Sequence, residues 1–173
     1  MKMNSIKKIL PSLTIALMLV ASVSCSNKEN GNAQIKFSLT DAPSMEYTAV
    51  NLDVQGLEVG VGDSANGKWE ALDLLQPGIY NLLDYRNGET LLLANESFPA
   101  GSISQVRLIL GPNNTVIKNG VSYPLTTPSA QQSGLKFNLH QVLEADMMYS
   151  FVIDFDASRS IHETGNGKFM LKP

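Results

Sequence analysis

Asp154-Phe155-Asp156-Ala157-Ser158 sets oxygen-bearing side chains at alternate positions, the spacing of a cation-binding loop. An EF-hand loop needs Gly at its sixth position and Glu at its twelfth. Here those positions hold Arg159 and Gly165, so that motif fails. Two carboxylates leaving a strand on one face still repel each other unless a cation lies between them. Arg107 or Arg159 would serve, making a structural ion-paired cluster with Asp154 and Asp156. Ca²⁺ is the alternative, and no other cofactor is implied. A second chemistry belongs to aromatic rings. Trp69, Tyr85 and Tyr123 are candidates for a ligand platform, because the C–H-rich faces of sugar rings pack on aromatics. Trp69 stands near Leu72 and Leu74, which equally suits a core residue.

Nucleophilic catalysis finds no support. Ser133 and Lys136 have the spacing of a serine–lysine pair, which needs both on one face of a helix. Lys136 instead opens the alternation Leu135, Phe137, Leu139, and on a strand residues three apart point to opposite faces. Gly62 to Lys68 approaches a phosphate-binding loop, but Trp69 comes next where Mg²⁺ coordination needs Ser or Thr. His140 and His162 each lack a neighbouring His or Cys. The expectation is a protein with no catalytic residues.

The elements that must position these residues begin with an address. Lys2, Lys7 and Lys8 precede the largely apolar stretch Ile9 to Val23, which is too short to span a membrane convincingly. Cys25, the one cysteine of the chain, stands directly behind it. This resembles a bacterial lipoprotein signal, with Ser22 where the commonest form has Leu. It implies cleavage after residue 24 and lipid attachment to Cys25, and two or more acyl chains suffice for stable anchoring. Ordinary secretory cleavage near Ser24 and an uncleaved anchor are the competing readings. Residues 25–32 read as the lipidated cysteine and a flexible tether, and residues 33–173 as one domain.

The chain has 173 residues, with 13 Lys plus Arg against 16 Asp plus Glu and a formal charge of −3. Losing three lysines with residues 1–24 leaves 10 basic and 16 acidic residues, a charge of −6. No basic excess exists to neutralise phosphates, so nucleic acid is not an expected partner. Period-two alternation dominates from Ala33 onward, the signature of half-buried strands. Val50, Leu52 and Val54 share a face, Gln55-Gly56 breaks the pattern as a bulge would, and Leu57, Val59 and Val61 resume it. Met147, Tyr149, Phe151, Ile153 and Phe155 form the longest apolar stripe and predict a central strand. Asn119-Gly120 and Asn166-Gly167 are hairpin-turn signals. Helical turns are expected at Ser44–Thr48, Leu91–Asn95 and Leu139–Glu144. The expected fold is all-β, a two-layer antiparallel β-sandwich of immunoglobulin or transthyretin type with a few short helical turns.

Several stretches carry a family resemblance when read in order. They are Leu39-Thr40-Asp41-Ala42-Pro43, Asn81-Leu82-Leu83-Asp84, Pro99-Ala100-Gly101 and Val106 to Gly111, then Thr127 to Lys136, Asp154 to Ile161 and Gly165 to Pro173. Together they resemble the DUF4382 family of envelope domains, found often in lipoproteins of the Bacteroidetes. The resemblance implies an exported, β-rich domain without an assigned activity. The family usually continues past Leu171-Lys172-Pro173 with more strand, so either a truncated member or a short last strand is expected.

The expected role is non-catalytic. The chain reads as a lipid-anchored domain of the bacterial envelope, displayed from the outer membrane through Cys25. It would take part in adhesion or glycan association, with a glycan or an envelope protein as partner. A fimbrial-type subunit assembling by strand addition is the alternative, and a metal-dependent binding module or enzyme the third.

Overall fold

The computed structural model describes residues 31–42, 46–62, 67–127, 133–165 and 167–172. Among these are twelve strands in two sheets, which makes the fold an all-β sandwich. The first sheet has the order β10-β1-β5, from β1 (Asn32–Asp41), β5 (Leu91–Pro99) and β10 (Met148–Phe155). The second runs β11-β12-β8-β7-β2-β6-β9. Its strands are β2 (Ala49–Val61), β6 (Gly101–Leu110), β7 (Thr115–Lys118), β8 (Val121–Thr126), β9 (Leu135–Leu143), β11 (Ile161–Glu163) and β12 (Phe169–Leu171). Two short strands, β3 (Lys68–Leu72) and β4 (Gly78–Asn81), also pair with β2.

β2 organises the second sheet. Its first half lies between β7 and β4, and its second half between β6 and β3. The bulge anticipated at Gln55-Gly56 is present: Val54 faces Leu110 and Gly56 faces Ile109, leaving Gln55 as the extra residue. This insertion reverses the parity of the strand beyond it. Val50, Leu52 and Val54 before it and Leu57 and Val59 after it are all buried, together with Val106 and Leu108 of β6. The opposite layer contributes Ile35, Phe37 and Leu39 from β1 and Ile153 and Phe155 from β10. Each such fully buried side chain contributes about 1.5–3 kcal/mol relative to leaving it exposed.

Three expectations need correction. The sandwich is not wholly antiparallel, since β10 runs parallel to β1 and β12 parallel to β8. β10 is the terminal strand of its sheet rather than a central one, and only Ile153 and Phe155 of its stripe are buried. Leu91–Asn95 and Leu139–Leu143 are strand, not helical turns. The helical turns lie at Leu82–Asp84, a 3-10 turn, and at Ala157–Ser160, α1. The turn expected at Ser44–Thr48 falls partly outside the described residues, as does the hairpin turn at Asn166-Gly167. The Asn119-Gly120 turn joins β7 to β8 with both residues at positive φ, 52° and 77°, the geometry such a two-residue hairpin needs.

Asp53 is buried where an outward-facing strand residue would be solvated, because the β6–β7 connection folds over it. Its carboxylate accepts from the Asn113 backbone at 3.1 Å, the Asn113 amide at 3.0 Å and the Gln55 amide. Its own N–H donates to the Asn114 side chain at 2.9 Å. Gly111 makes this closure sterically feasible, since a Cβ there would lie 2.3 Å from Asp53 Oδ2. Gly111→Ala is therefore expected to destabilise the fold by about 1–3 kcal/mol, read as a fall of several degrees in Tm. An unchanged Tm would mean that the Asp53 clasp is slack.

Candidate functional site

Polar chemistry concentrates in two places. The first is the end of the first sheet, where Asp41 continues the inward stripe of Ile35, Phe37 and Leu39. Asp41 is 3% exposed. Its backbone N–H donates to Tyr85 O at 2.9 Å, Ala42 N–H donates to Phe155 O at 2.7 Å, and Ala157 N–H donates to Asp41 Oδ1 at 3.0 Å. The other carboxyl oxygen is buried and has no hydrogen-bond partner among the described residues. Two of the stretches that carry the family resemblance, Leu39 to Pro43 and Asp154 to Ile161, thus meet at this carboxyl, and Tyr85, next to a third, meets the Asp41 backbone. Asn81 closes the same end, accepting from Val50 N–H at 3.0 Å and Leu83 N–H at 3.3 Å.

Burial pushes the Asp41 carboxyl up to about 6, and the nearby Asp156 carboxylate adds to the shift. Asp156 itself is held below the usual carboxylate range, first by the Ser158 hydroxyl at 2.6 Å. It caps α1 through Arg159 N–H at 3.1 Å and forms an ion pair with Arg159 Nε at 3.3 Å. Two carboxyls with proton affinities driven apart are the raw material of acid–base chemistry, but Asp41 is sealed from substrate. The pair reads as a structural latch.

The expected cluster of Arg107, Arg159, Asp154 and Asp156 therefore divides. Arg159 meets Asp156, whereas Asp154 is exposed on β10 and Arg107 lies in the other sheet, paired with Glu58. The physical reason is topology: β6 and β10 belong to different layers. Among the described residues no group of three or more His, Cys, Asp or Glu could hold a metal. Cys25 lies outside the described residues, and no helix among them is long and apolar enough to cross a membrane.

The second place is the outer face of the second sheet. After the bulge, Gly56, Glu58 and Gly60 point away from the core. Gly60 faces Trp69 of β3 on one side and Gln105 of β6 on the other, and Glu58 faces Ala71 and Arg107. Continuing across, Gln105 faces Asn138 and Arg107 faces Lys136 of β9. The edge of the Trp69 ring lies over Gly60, 3.6 Å from where a Cβ would stand, an ordinary van der Waals distance. The Arg107 guanidinium carbon stands 4.2 Å from the ring centroid and Lys136 Nζ 5.7 Å, within cation–π range. Glu58 fixes Arg107 by accepting from Nε at 2.8 Å and from a second guanidinium nitrogen.

Two depressions open on this face. One of about 110 Å³ is lined by Gly60, Gly67, Trp69, Ser104, Gln105 and Lys136. The other, about 590 Å³, has Gly56, Glu58, Ala71, Asp73 and Ile109 among its walls. The Glu58–Arg107 rung separates them. Their glycine floors are four residues apart, roughly 13 Å along the strand. An aromatic ring, amide side chains and two floors without side chains make a surface suited to a flat, hydroxyl-rich ligand.

Kinship is decided by comparison with known families. The family model described as "Domain of unknown function (DUF4382)" matches residues 32–173. The chain belongs to the DUF4382 family. No curated protein and no solved structure matches it.

The three aromatic candidates of this DUF4382 domain do not form one platform. Trp69 lies in the outer trough, partly buried. Tyr85 meets Tyr80 edge-on at 6.5 Å beside the Asp41 latch, and Tyr123 packs against Phe169 at 5.0 Å, next to the core. Trp69 is not a core residue, because Leu72 points inward and a residue three away on the strand must point outward. Sequence reasoning singled out Gly56 only as part of a bulge and Lys136 only in a serine–lysine pairing, and did not single out Gly60 or Gln105. The available signal was two glycines four apart in one strand beside a tryptophan of outward parity. Asp41 was signalled by its place in the apolar stripe of β1.

The latch carries a pH dependence of definite sign. The folded-state pKa of Asp41 lies above its ordinary value, so the fold favours the protonated form. That stabilisation is complete below about 4 and is lost as pH rises through about 6. Over pH 4–7 this group makes Tm fall with rising pH, and Asp41→Asn is expected to flatten that component. Superimposable Tm–pH profiles for the two proteins would show that Asp41 titrates normally.

Proposed function

We propose that this DUF4382 protein is a lipid-anchored, non-catalytic binding domain of the bacterial envelope, of the type found in Bacteroidetes lipoproteins, and that its ligand is a glycan. Supporting the anchor are the positive start, the apolar stretch and Cys25 directly behind it in the sequence. The net charge of −6 left after cleavage opposes adsorption to an anionic membrane surface, which makes the lipid the means of attachment and display from the outer membrane its setting. The partner is a polysaccharide rather than nucleic acid.

One observation carries the ligand reading. The single tryptophan of the chain is spent on the polar outer face of a sheet, spread over a glycine and braced by an arginine, instead of filling the core. Where the Trp69 ring borders the depression it offers apolar surface, and the flanking amides Gln105 and Asn138, bonded to each other at 2.9 Å, offer donors and acceptors for hydroxyls.

A panel of polysaccharides titrated into the protein by calorimetry tests this. At least one is expected to bind, and Trp69→Ala is expected to weaken it roughly tenfold, about the worth of an aromatic stacking contact, while Tm stays within a degree or two. A panel without binding, or binding indifferent to Trp69, would defeat the reading. Cys25→Ala is expected to abolish incorporation of labelled fatty acid and to move the protein from the membrane to the soluble fraction.

Strand addition, the fimbrial-type alternative, has one observation in its favour. β9 and β10 are the terminal strands of their sheets, and their inward residues Phe137, Leu139, Tyr149 and Phe151 are only partly buried. Such edges are templates for another strand. The bulge at His140, with φ of 52°, counts against pairing along β9. Concentration-driven polymers of the intact protein would favour the alternative.

A further inference from the structure

The smaller depression discriminates by charge. Of its six lining residues, Lys136 alone is charged. Arg107, the other cation beside the ring, is neutralised by Glu58, both side chains being about four-fifths buried. Lys136 has no ion pair among the described residues. Its ammonium lies 5.7 Å from the Trp69 centroid, so a ligand stacked on the indole would bring a ring substituent within its reach. The placement is unusual for this molecule, in which acidic residues outnumber basic ones. A cation without an ion pair among the described residues, at the lip of a depression of about 110 Å³ in an otherwise acidic domain, favours a negative ligand.

We infer that the trough takes an acidic polysaccharide, a polyuronate whose pyranose ring stacks on Trp69 and whose carboxylate pairs with Lys136. The inference rests on the glycan reading and adds the class of sugar. Gln105 supplies amide donors and acceptors to the neighbouring hydroxyls, and Gly60 leaves the ring room to approach the strand. Arg107 acts as a positioning residue, held by Glu58 so that it steadies the indole and leaves Lys136 as the group that reads charge. The ion pair forms at the surface, so salt screens it.

Polygalacturonate and alginate, each beside its methyl ester, separate ring recognition from charge recognition. The full chain, purified in detergent, is titrated with all four at low and at high salt. At least one polyuronate is expected to bind fivefold or more tightly than its own ester. High salt should narrow that gap, Lys136→Gln should abolish it and Lys136→Arg should restore it. Lys136 is exposed, so these variants should keep the wild-type Tm. Equal affinity for acid and ester, or a preference that survives Lys136→Gln, overturns the acidic-sugar inference while leaving glycan binding intact. If none of the four binds but a neutral polysaccharide does, the inference again fails alone. If no polysaccharide of either kind binds, both readings fall together.

Discussion

β2 cannot satisfy its neighbours without its bulge. Thirteen residues long, it supplies hydrogen bonds to β3, β4, β6 and β7, and one face must stay apolar throughout. An unbroken strand with this sequence would turn Leu57 and Val59 to solvent and bury Glu58. The extra residue at Gln55 resets the parity, so that Leu57 and Val59 rejoin Val50, Leu52 and Val54 in the core. The same slip decides which residues face outward: Asp53 before it, closed over by the Gly111–Asn114 turn, and Gly56, Glu58 and Gly60 after it. The outer trough is a consequence of how the core is kept apolar.

The trough in turn depends on charge placement. Glu58 projects from the reset face and captures Arg107 across the β2–β6 pair, and Arg107 braces Trp69. Because β6 also pairs with β9, Lys136 arrives beside Arg107 and, among the described residues, has no acid of its own. One rung of the ladder therefore holds a cation neutralised by Glu58 beside the ring and, among the described residues, a second one without an ion pair, the group proposed to read the ligand's charge. The Asp41 latch sits apart from this arrangement. It ties β1 to the turn after β10, where the parallel pair β1–β10 ends, and its second carboxyl oxygen is buried without a partner among the described residues.

Much of this was legible in the sequence. The β2 bulge announced itself as a broken alternation, the β7–β8 hairpin as Asn119-Gly120, and the family as an ordered series of short stretches. β5 escaped because Leu91-Leu92-Leu93-Ala94 is a continuous apolar run without alternation. The edge position of β10 escaped because its stripe reports burial, while its parallel partner β1 lies more than a hundred residues away. Long-range pairing also hid the Glu58–Arg107 contact, forty-nine residues apart, and so directed Arg107 to the wrong carboxylates. Trp69 was visible as a candidate. The sequence left it equally suited to the core, and both its outward direction and the glycine beneath it needed the β2–β3 register.

Trp69 is the chain's single tryptophan, so its fluorescence reports on the trough alone. The most direct test of the central claim is to titrate a polysaccharide shown to bind by calorimetry while monitoring the indole emission and its quenching by acrylamide. The account predicts a saturable change in emission and protection from quencher, with the same midpoint as the calorimetric curve. Binding that leaves both emission and quenching untouched would place the ligand elsewhere on the molecule and contradict it.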